Sequence, residues 1–298
     1  MSFLIELQLI NNTLGGEISS EVGHLSRLQR LDLRANSFEG EIPINISHCS
    51  DLLFLALANN KLIGSIPKEF GSLLKLTSLW LHFNNLTGEI PNSIGNLTSL
   101  ESLSFVSNKL VGTLPGSLGE LKNLSELTLG ANQFSGVIPP SIYNLSFINL
   151  FSVSSNQLHG TLPQELGLMF PLLERFQLGN NQFTGPLPLS FSNASKLIYI
   201  DLSITNFTGK ISVDFGRLQN LLGLSLGVNN LGSGEPDEMN FISSLANCSN
   251  LQVLELGYNQ LRGALPFKAI SQQNSTIFRL QEIKYTEESL RGYVTLWA

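Results

Sequence analysis

The chain has 298 residues, of which 42% are hydrophobic and only 13% charged, and its formal net charge is −6 at pH 7. This composition provides enough apolar side chains for a buried core and excludes a disordered chain. The mild acidity excludes nucleic acid and anionic membrane surfaces as main partners.

From its first residues the sequence repeats one unit, LxLxxNxLxGxIP, with a spacing of 24 residues and once 25. Clear copies are "LDLRANSFEGEIP" (31–43), "LALANNKLIGSIP" (55–67) and "LWLHFNNLTGEIP" (79–91). The asparagines of the unit are Asn12, Asn36, Asn60, Asn84, Asn108, Asn132, Asn156, Asn181, Asn229 and Asn259, with Thr205 in the same position. Eleven clear copies and a degraded twelfth (277–295) predict a single solenoid domain over 1–298.

Each unit predicts a short strand and a turn. Both leucines of LxL point to one face of the strand. The asparagine has two donors and an acceptor, so it can satisfy backbone groups of its own and neighbouring coils. Gly permits a tight bend, and Pro ends the segment. One unit cannot bury its leucines alone, so we expect stacked coils with one shared core and the strands along one side.

The spacing changes near the end of the repeats. The step from Asn229 to Asn259 is 30 residues, and the excess falls near "GSGEPDEMN" (232–240). This acidic, turn-prone stretch is predicted to loop out of the stack, either as a tolerated insertion or as a functional island.

Residues that flank the inward leucines are predicted to face outward on the strand side, where a ligand would sit. The first group of candidate ligand contacts is Arg30, Asp32, Arg34, Phe54, Trp80 and His82. The second group is Arg175, Gln177, Tyr199 and Asp201. Exposed aromatic and Arg side chains are typical of binding hot spots. The alternative is that any solenoid displays such residues there, with Trp80 simply packing on its neighbours.

Asp214-Phe215-Gly216 matches the magnesium-binding triplet of protein kinases. The triplet aligns with "KEFGSLLKL" (68–76), the segment that follows Pro in another copy of the repeat. The Gly-rich loop, the strand lysine and the His-Arg-Asp loop of a kinase are missing from the sequence. Neither the four histidines nor the two cysteines, Cys49 and Cys248, have the spacing of a metal site. We therefore predict no catalytic, cofactor or metal site.

Ten N-x-[ST] sequons occur along the chain, and four of them share one phase of the repeat. These four, the predicted glycosylation sites, are Asn96, Asn144, Asn193 and Asn247. Glycans there would line one edge and leave the strand face bare. Alternatively, the sequons follow from the NL[ST] pattern of the repeat, without any secretory history.

The repeat resembles the leucine-rich repeat, and its GxIP extension resembles the plant-specific class, over nearly the whole chain. The closest likeness is to ectodomains of plant receptor-like kinases, in the group of the flagellin, elongation-factor and rice bacterial-blight resistance receptors. The stretch 231–266 resembles the rice members especially. The resemblance implies a curved parallel β-sheet on a concave face, with short 3-10 or irregular helical segments on the convex face.

For function, the resemblance implies extracellular binding of a peptide or protein in immune perception, with a co-receptor kinase as a second partner. The parent protein would carry a signal peptide, a membrane span and a cytosolic Ser/Thr kinase, and would lie on the extracellular side of the plasma membrane. None of these parts, nor the paired-cysteine cap of the family, is recognisable here, so we expect a fragment without enzymatic activity or membrane contact. The alternatives are a cell-wall polygalacturonase inhibitor, a ligand-free structural or decoy protein, and a non-functional truncated copy.

Overall fold

The computed structural model describes residues 3–235, 237–264 and 266, together with the backbone of 277–279. The chain forms two compact units, 1–148 and 149–298. In each unit the chain winds through consecutive coils, and each coil adds one short strand to a parallel sheet.

In the first unit, these inner strands pair so that their leucines form one column. Leu31, Leu55 and Leu79 lie in register in three neighbouring strands and are fully buried. Successive residues of a strand point to opposite faces, so residues in register share one face, here the buried one. The strands are Glu6–Gln8, Arg30–Asp32, Phe54–Ala56, Ser78–Trp80, Ser102–Ser104 and Glu126–Thr128.

The second unit repeats the arrangement, with Phe176, Ile200 and Leu224 in the buried column. Its inner strands are Leu150–Ser152, Arg175–Gln177, Tyr199–Asp201, Gly223–Ser225, Val253–Glu255 and Ile277–Arg279. The last strand belongs to the predicted twelfth repeat and pairs in register with Val253–Glu255. The remainder of that repeat lies outside the described residues.

Short helical segments follow the Pro position of the repeat. In the first unit they are the 3-10 helices Ser20–His24, Ile44–His48, Lys68–Ser72, Asn92–Asn96, Gly116–Glu120 and Pro140–Asn144. In the second they are the 3-10 helices Leu189–Asn193 and Phe215–Arg217 and the α-helices Leu166–Met169 and Asn240–Leu245. Neighbouring segments approach so closely that a Cβ on Gly119 would lie 2.5 Å from the Cβ of Ser141.

A second set of parallel strands runs through the Leu-x-Gly segment, where the sequence predicted only a bend. In the first unit these strands are Gly15–Glu17, Ser37–Glu39, Val111–Thr113 and Gln133–Gly136. In the second they are Gln157–Thr161, Gln182–Gly185, Asn206–Gly209 and Asn230–Leu231. The predicted fold class, a leucine-rich repeat solenoid, is confirmed, with this extra ladder as the feature that the prediction missed. The single-domain organisation stays a prediction.

The repeated asparagines lock each coil to the coil before it. Asn36 donates from Nδ2 to the carbonyls of Leu9 (2.7 Å) and Leu33 (3.1 Å), and its Oδ1 accepts from the N–H of Leu14 (3.1 Å). The same three bonds recur at Asn60, Asn84, Asn108, Asn132, Asn181, Asn229 and Asn259. Asn12 and Asn156 bond to the carbonyls of Leu9 and Val153 in their own coils.

Candidate ligand-binding surface

The first predicted group lies together on the strand face of the first unit. Register sets Arg30 beside Phe54, and Trp80 beside Ala56 in the next strand. Arg34 and His82 follow the strands that carry Asp32 and Trp80. We call Arg30, Asp32, Arg34, Phe54, Trp80 and His82 the aromatic–arginine patch.

Asp32 was predicted as an exposed contact, but it is fully buried beneath the two arginines. Arg34 donates to it from Nε and Nη2, at 2.8 Å each, and Arg30 donates from Nη2 at 3.2 Å. Burial alone would raise the pKa of Asp32, but the hydrogen bonds and charge of Arg34, with help from Arg30, hold it below its ordinary value. Asp32 is therefore ionised and pairs with both arginines. It is buried because the long arginine side chains of its own coil fold over it.

The arginines pack against the aromatic rings. The Cζ of Arg30 lies 3.7 Å from the ring centroid of Phe54, and that of Arg34 lies 4.9 Å from the Trp80 ring. Phe54 and Trp80 meet edge to face, with their centroids 4.9 Å apart. Both rings stay partly exposed, so the patch presents fixed aromatic surface to solvent.

Two residues that the sequence analysis missed hold the indole in place. Trp80 donates from Nε1 to the hydroxyl of Ser102 (2.9 Å), which donates to Oε2 of Glu126 (2.7 Å). Register pairs Ser102 with Ser78, so the period of the repeat was the signal that could have located it.

His82 completes the patch as a neutral ring. Burial, and then the charge of Arg34, lower its pKa to about 4. Its Nδ1 and the Nε of Arg30 are buried nitrogens without a hydrogen-bond partner among the described residues. Such atoms are uncommon in folded proteins, so the patch contains two nitrogens whose hydrogen-bonding capacity is not used by the described residues.

The second predicted group lies on the strand face of the second unit. The Cζ of Arg175 is 5.5 Å from the Tyr199 ring centroid, and Gln177 is in register with Asp201. Burial raises the pKa of Asp201, although the hydroxyl and N–H of Ser203 donate to its Oδ1 at 2.6 and 3.0 Å. This group therefore offers one cation–π pair and one carboxylate that is already hydrogen-bonded.

The four sequon asparagines are exposed. Asn96, Asn144 and Asn193 each end a 3-10 helix, and Asn247 follows the helix Asn240–Leu245 by two residues. They share a structural position on the helical side of their coils, as their common phase predicts.

The kinase-like triplet has a structural role. Asp214 caps the 3-10 helix Phe215–Arg217 by accepting from the N–H of Gly216 at 3.2 Å, and Phe215 is 1% exposed. Its ring packs against Phe241, with the centroids 6.3 Å apart.

The predicted loop near 232–240 is tied to the chain by Glu238, another residue without a sequence signal. Oε1 of this buried side chain accepts from the N–H groups of Ser233, Gly234 and Glu235, and its Oε2 accepts from the N–H of Arg262. These bonds, chiefly the one from Ser233, lower the pKa of Glu238 to about 2. The loop is therefore closed around an ionised carboxylate.

Across the described part of the chain, no helix has the length and apolarity needed to cross a bilayer. Within the same residues, His, Cys, Asp and Glu side chains form no group of three or more that could hold a metal ion.

Comparison with known proteins gives matches to repeats of one kind. A family profile described as a leucine-rich repeat region matches residues 4–135, and a second, described as a leucine-rich repeat, matches 172–194. Over 50 residues, 17% of the chain, it is 50% identical to the receptor kinase-like protein Xa21 of Oryza sativa subsp. japonica. Over the same length it is 42% identical to the LRR receptor-like serine/threonine-protein kinase EFR of Arabidopsis thaliana. These matches span only 5% of each relative.

Solved structures are similar over most of the chain. A TDR receptor is 35% identical with a TM-score of 0.85, over 91% of this chain and 46% of that one. The Arabidopsis receptor kinase HAESA, solved in complex with the peptide hormone IDA and the co-receptor SERK1, is 27% identical with a TM-score of 0.75. That likeness covers 91% of this chain and 52% of HAESA, so the chain spans about half of each of these two structures.

Proposed function

We propose, from the premise that the chain belongs to the leucine-rich repeat family, that it is the ligand-recognition part of a plant receptor-like kinase. Its ligand is a peptide or protein segment, bound across the strand face of the first unit. The observation that carries this proposal is the aromatic–arginine patch, where partly exposed rings are held rigidly by ion pairs and hydrogen bonds. Rigid aromatic anchors bind well because little side-chain entropy remains to be lost.

The similarity to plant receptor ectodomains supports the same function. HAESA is described with a peptide hormone and a co-receptor, and a co-receptor kinase is accordingly the second partner that we propose for this chain. The similarity to Xa21 and EFR, which are named as receptor kinases, supports a receptor role. A place in immune perception, on the extracellular side of the plasma membrane, is proposed from the resemblance of the repeat to that group of receptors. The second group, around Arg175 and Tyr199, is proposed as a further contact for the same kind of ligand.

We also propose that Asn96, Asn144, Asn193 and Asn247 carry N-glycans. Their exposed side chains lie on the helical side of the coils, so glycans would not cover the strand face. Expression in plant cells followed by glycopeptide mass spectrometry tests this, and unmodified asparagines at all four sites would contradict it.

A phage-displayed library of random dodecapeptides, panned on the immobilised chain, tests the central proposal. We expect enriched peptides whose affinity falls at least about tenfold with Trp80→Ala, the loss typical of a hot-spot residue. Phe147→Ala is the matched control and should leave affinity unchanged, because it removes an exposed ring (54%) that lies outside the inner strands, between the helix Pro140–Asn144 and the strand Leu150–Ser152. A library without enrichment, or peptides indifferent to Trp80→Ala, would rule out this binding site.

A further inference from the structure

The patch contains two arginines, and both already donate to the buried carboxylate of Asp32. Arg34 turns its Nε and Nη2 to the two carboxylate oxygens of Asp32, at 2.8 Å each. Arg30 gives Nη2 to the same carboxylate, and its Nε is buried. A ligand carboxylate is bound best by two parallel bonds along one edge of a guanidinium. Asp32 already occupies the Nε–Nη2 edge of Arg34, and on the same edge of Arg30 it takes Nη2 while Nε is buried.

The guanidinium groups also serve to hold aromatic rings. Arg30 lies against Phe54 at 3.7 Å, and Arg34 lies between Phe54 (5.8 Å) and Trp80 (4.9 Å). Moving either arginine toward a ligand acid would break an ion pair with the buried Asp32 and a cation–π contact together. The arginines therefore act as supports of the rings.

The N–H of the Trp80 indole is also already hydrogen-bonded. Trp80 Nε1 donates to Ser102, which is 9% exposed and donates onward to Glu126. A ligand would have to replace a charge-assisted chain of hydrogen bonds to reach this N–H. What Trp80 can offer to a ligand is its apolar ring surface.

His82 adds no charge at neutral pH, since its pKa is about 4. Its ring lies 6.4 Å from Trp80 and 5.6 Å from Phe83, centroid to centroid, so it continues the row of rings. The surface thus displays ring carbons, while both arginines are paired with the one carboxylate of Asp32.

We propose that the aromatic–arginine patch binds an uncharged aromatic or branched aliphatic side chain of the peptide, in preference to a carboxylate. The preference follows because an apolar group gains from burial against the rings, at about 25 cal/mol per Å². A carboxylate would lose hydration without gaining the Nε–Nη2 edge of either arginine, since Asp32 or burial already removes both. This inference rests on the proposed function, for which it names the ligand group.

Two small probes that differ in charge decide the preference without any known ligand. They are 3-(4-fluorophenyl)propionamide and 3-(4-fluorophenyl)propionate, followed by ¹⁹F NMR line broadening on the 298-residue chain. Fragments of this size bind in the millimolar range. We expect the amide to bind at least about fivefold tighter than the carboxylate, because only the carboxylate must shed a charged hydration shell. Trp80→Ala should abolish binding of the amide, and Phe147→Ala should preserve it.

Asp32→Asn tests the cause of the preference. The substitution keeps the shape of the side chain and removes the negative charge that pairs with both arginines. We expect it to raise affinity for the carboxylate probe by about fivefold or more, as charge-assisted pairing becomes available, and to leave the amide within about twofold. An unchanged carboxylate affinity in the folded variant would show that Asp32 does not set the preference. If circular dichroism shows that Asp32→Asn is unfolded, the comparison of the two probes on the unsubstituted chain decides whether the patch prefers an uncharged group.

The inference is wrong if the carboxylate binds the parent chain as tightly as the amide or more tightly, or if neither probe binds. Failure of the peptide library would instead contradict the proposed receptor function. Library peptides whose affinity depends on an Asp or Glu at the patch would leave the receptor function standing and overturn the preference for an uncharged group.

Discussion

Asn84→Ala tests whether the repeated asparagines hold the coils together. Asn84 is 8% exposed, and its three shortest bonds are to the carbonyls of Leu57 (3.0 Å) and Leu81 (3.1 Å) and from the N–H of Leu62 (3.0 Å). Each such bond contributes about 1 kcal/mol net, and each buried backbone group left without a partner costs about 1–3 kcal/mol. The truncation should therefore destabilise the chain by about 3–5 kcal/mol.

The measurement is urea unfolding followed by circular dichroism, with amide hydrogen exchange as a local readout. The Leu62 amide should exchange much faster in Asn84→Ala, because its acceptor is gone. The neighbouring Asn85, half-buried and without a side-chain hydrogen bond to the described residues, supplies the control variant Asn85→Ala. A loss in Asn84→Ala within about 0.5 kcal/mol of the control, the range of ordinary surface substitutions, would refute the reasoning.

Three further predictions concern packing and titration. Gly119→Ala should destabilise the folded chain by about 2 kcal/mol, because its Cβ would meet Ser141 backbone atoms at 2.6 Å. Gly116→Ala in the same helix is the control: its Cβ would meet Ser141 only at 3.6 Å, so thermal unfolding should be unchanged. The stability that ionised Glu238 provides should be present above pH 4.5 and lost as the pH falls to about 2; Glu238→Gln should flatten that part of an acid-unfolding curve. In an NMR titration, the His82 imidazole should stay neutral down to about pH 4. The stability that the neutral ring provides is then complete above pH 6.5 and is lost as the pH falls toward 4. A titration midpoint near 6.5 would contradict the burial of the ring.

The repeat predicted which residues share a face, but not what their side chains do there. A 24-residue period fixes phase, so Arg30, Phe54 and Trp80 were assigned to the strand face and do lie together on it. Phase carries no information about how long side chains fold over short ones, and for that reason Asp32 was taken as exposed although it is 0% exposed. Predicting its burial requires the rotamers of two arginines that compete for one carboxylate.

Residues outside the period could not be predicted at all. Glu238 lies in the extra segment, where no neighbouring copy of the repeat indicates direction, and its partners Ser233 and Arg262 are set by the path of the loop. The second ladder of strands was missed for a different reason. Its Leu-x-Gly segment also reads as a turn, and only the stacking of coils supplies the partners that make it a strand.

The asparagines show why the pattern specifies a stack and not merely a row of buried leucines. The residue before each repeated asparagine, or before Thr205, has φ between 52° and 57° in every described coil, even where it is the β-branched Ile204 or Val228. A left-handed conformation costs an L-residue about 1–2 kcal/mol, so each turn needs support from elsewhere. That support comes largely from the next coil: Asn229 accepts from the N–H of Phe207 and donates to the carbonyl of Leu202, on both sides of Ile204. The turn at Ile204 therefore keeps its support although its own coil carries Thr205 in place of asparagine, because the asparagine that stabilises it belongs to the next coil.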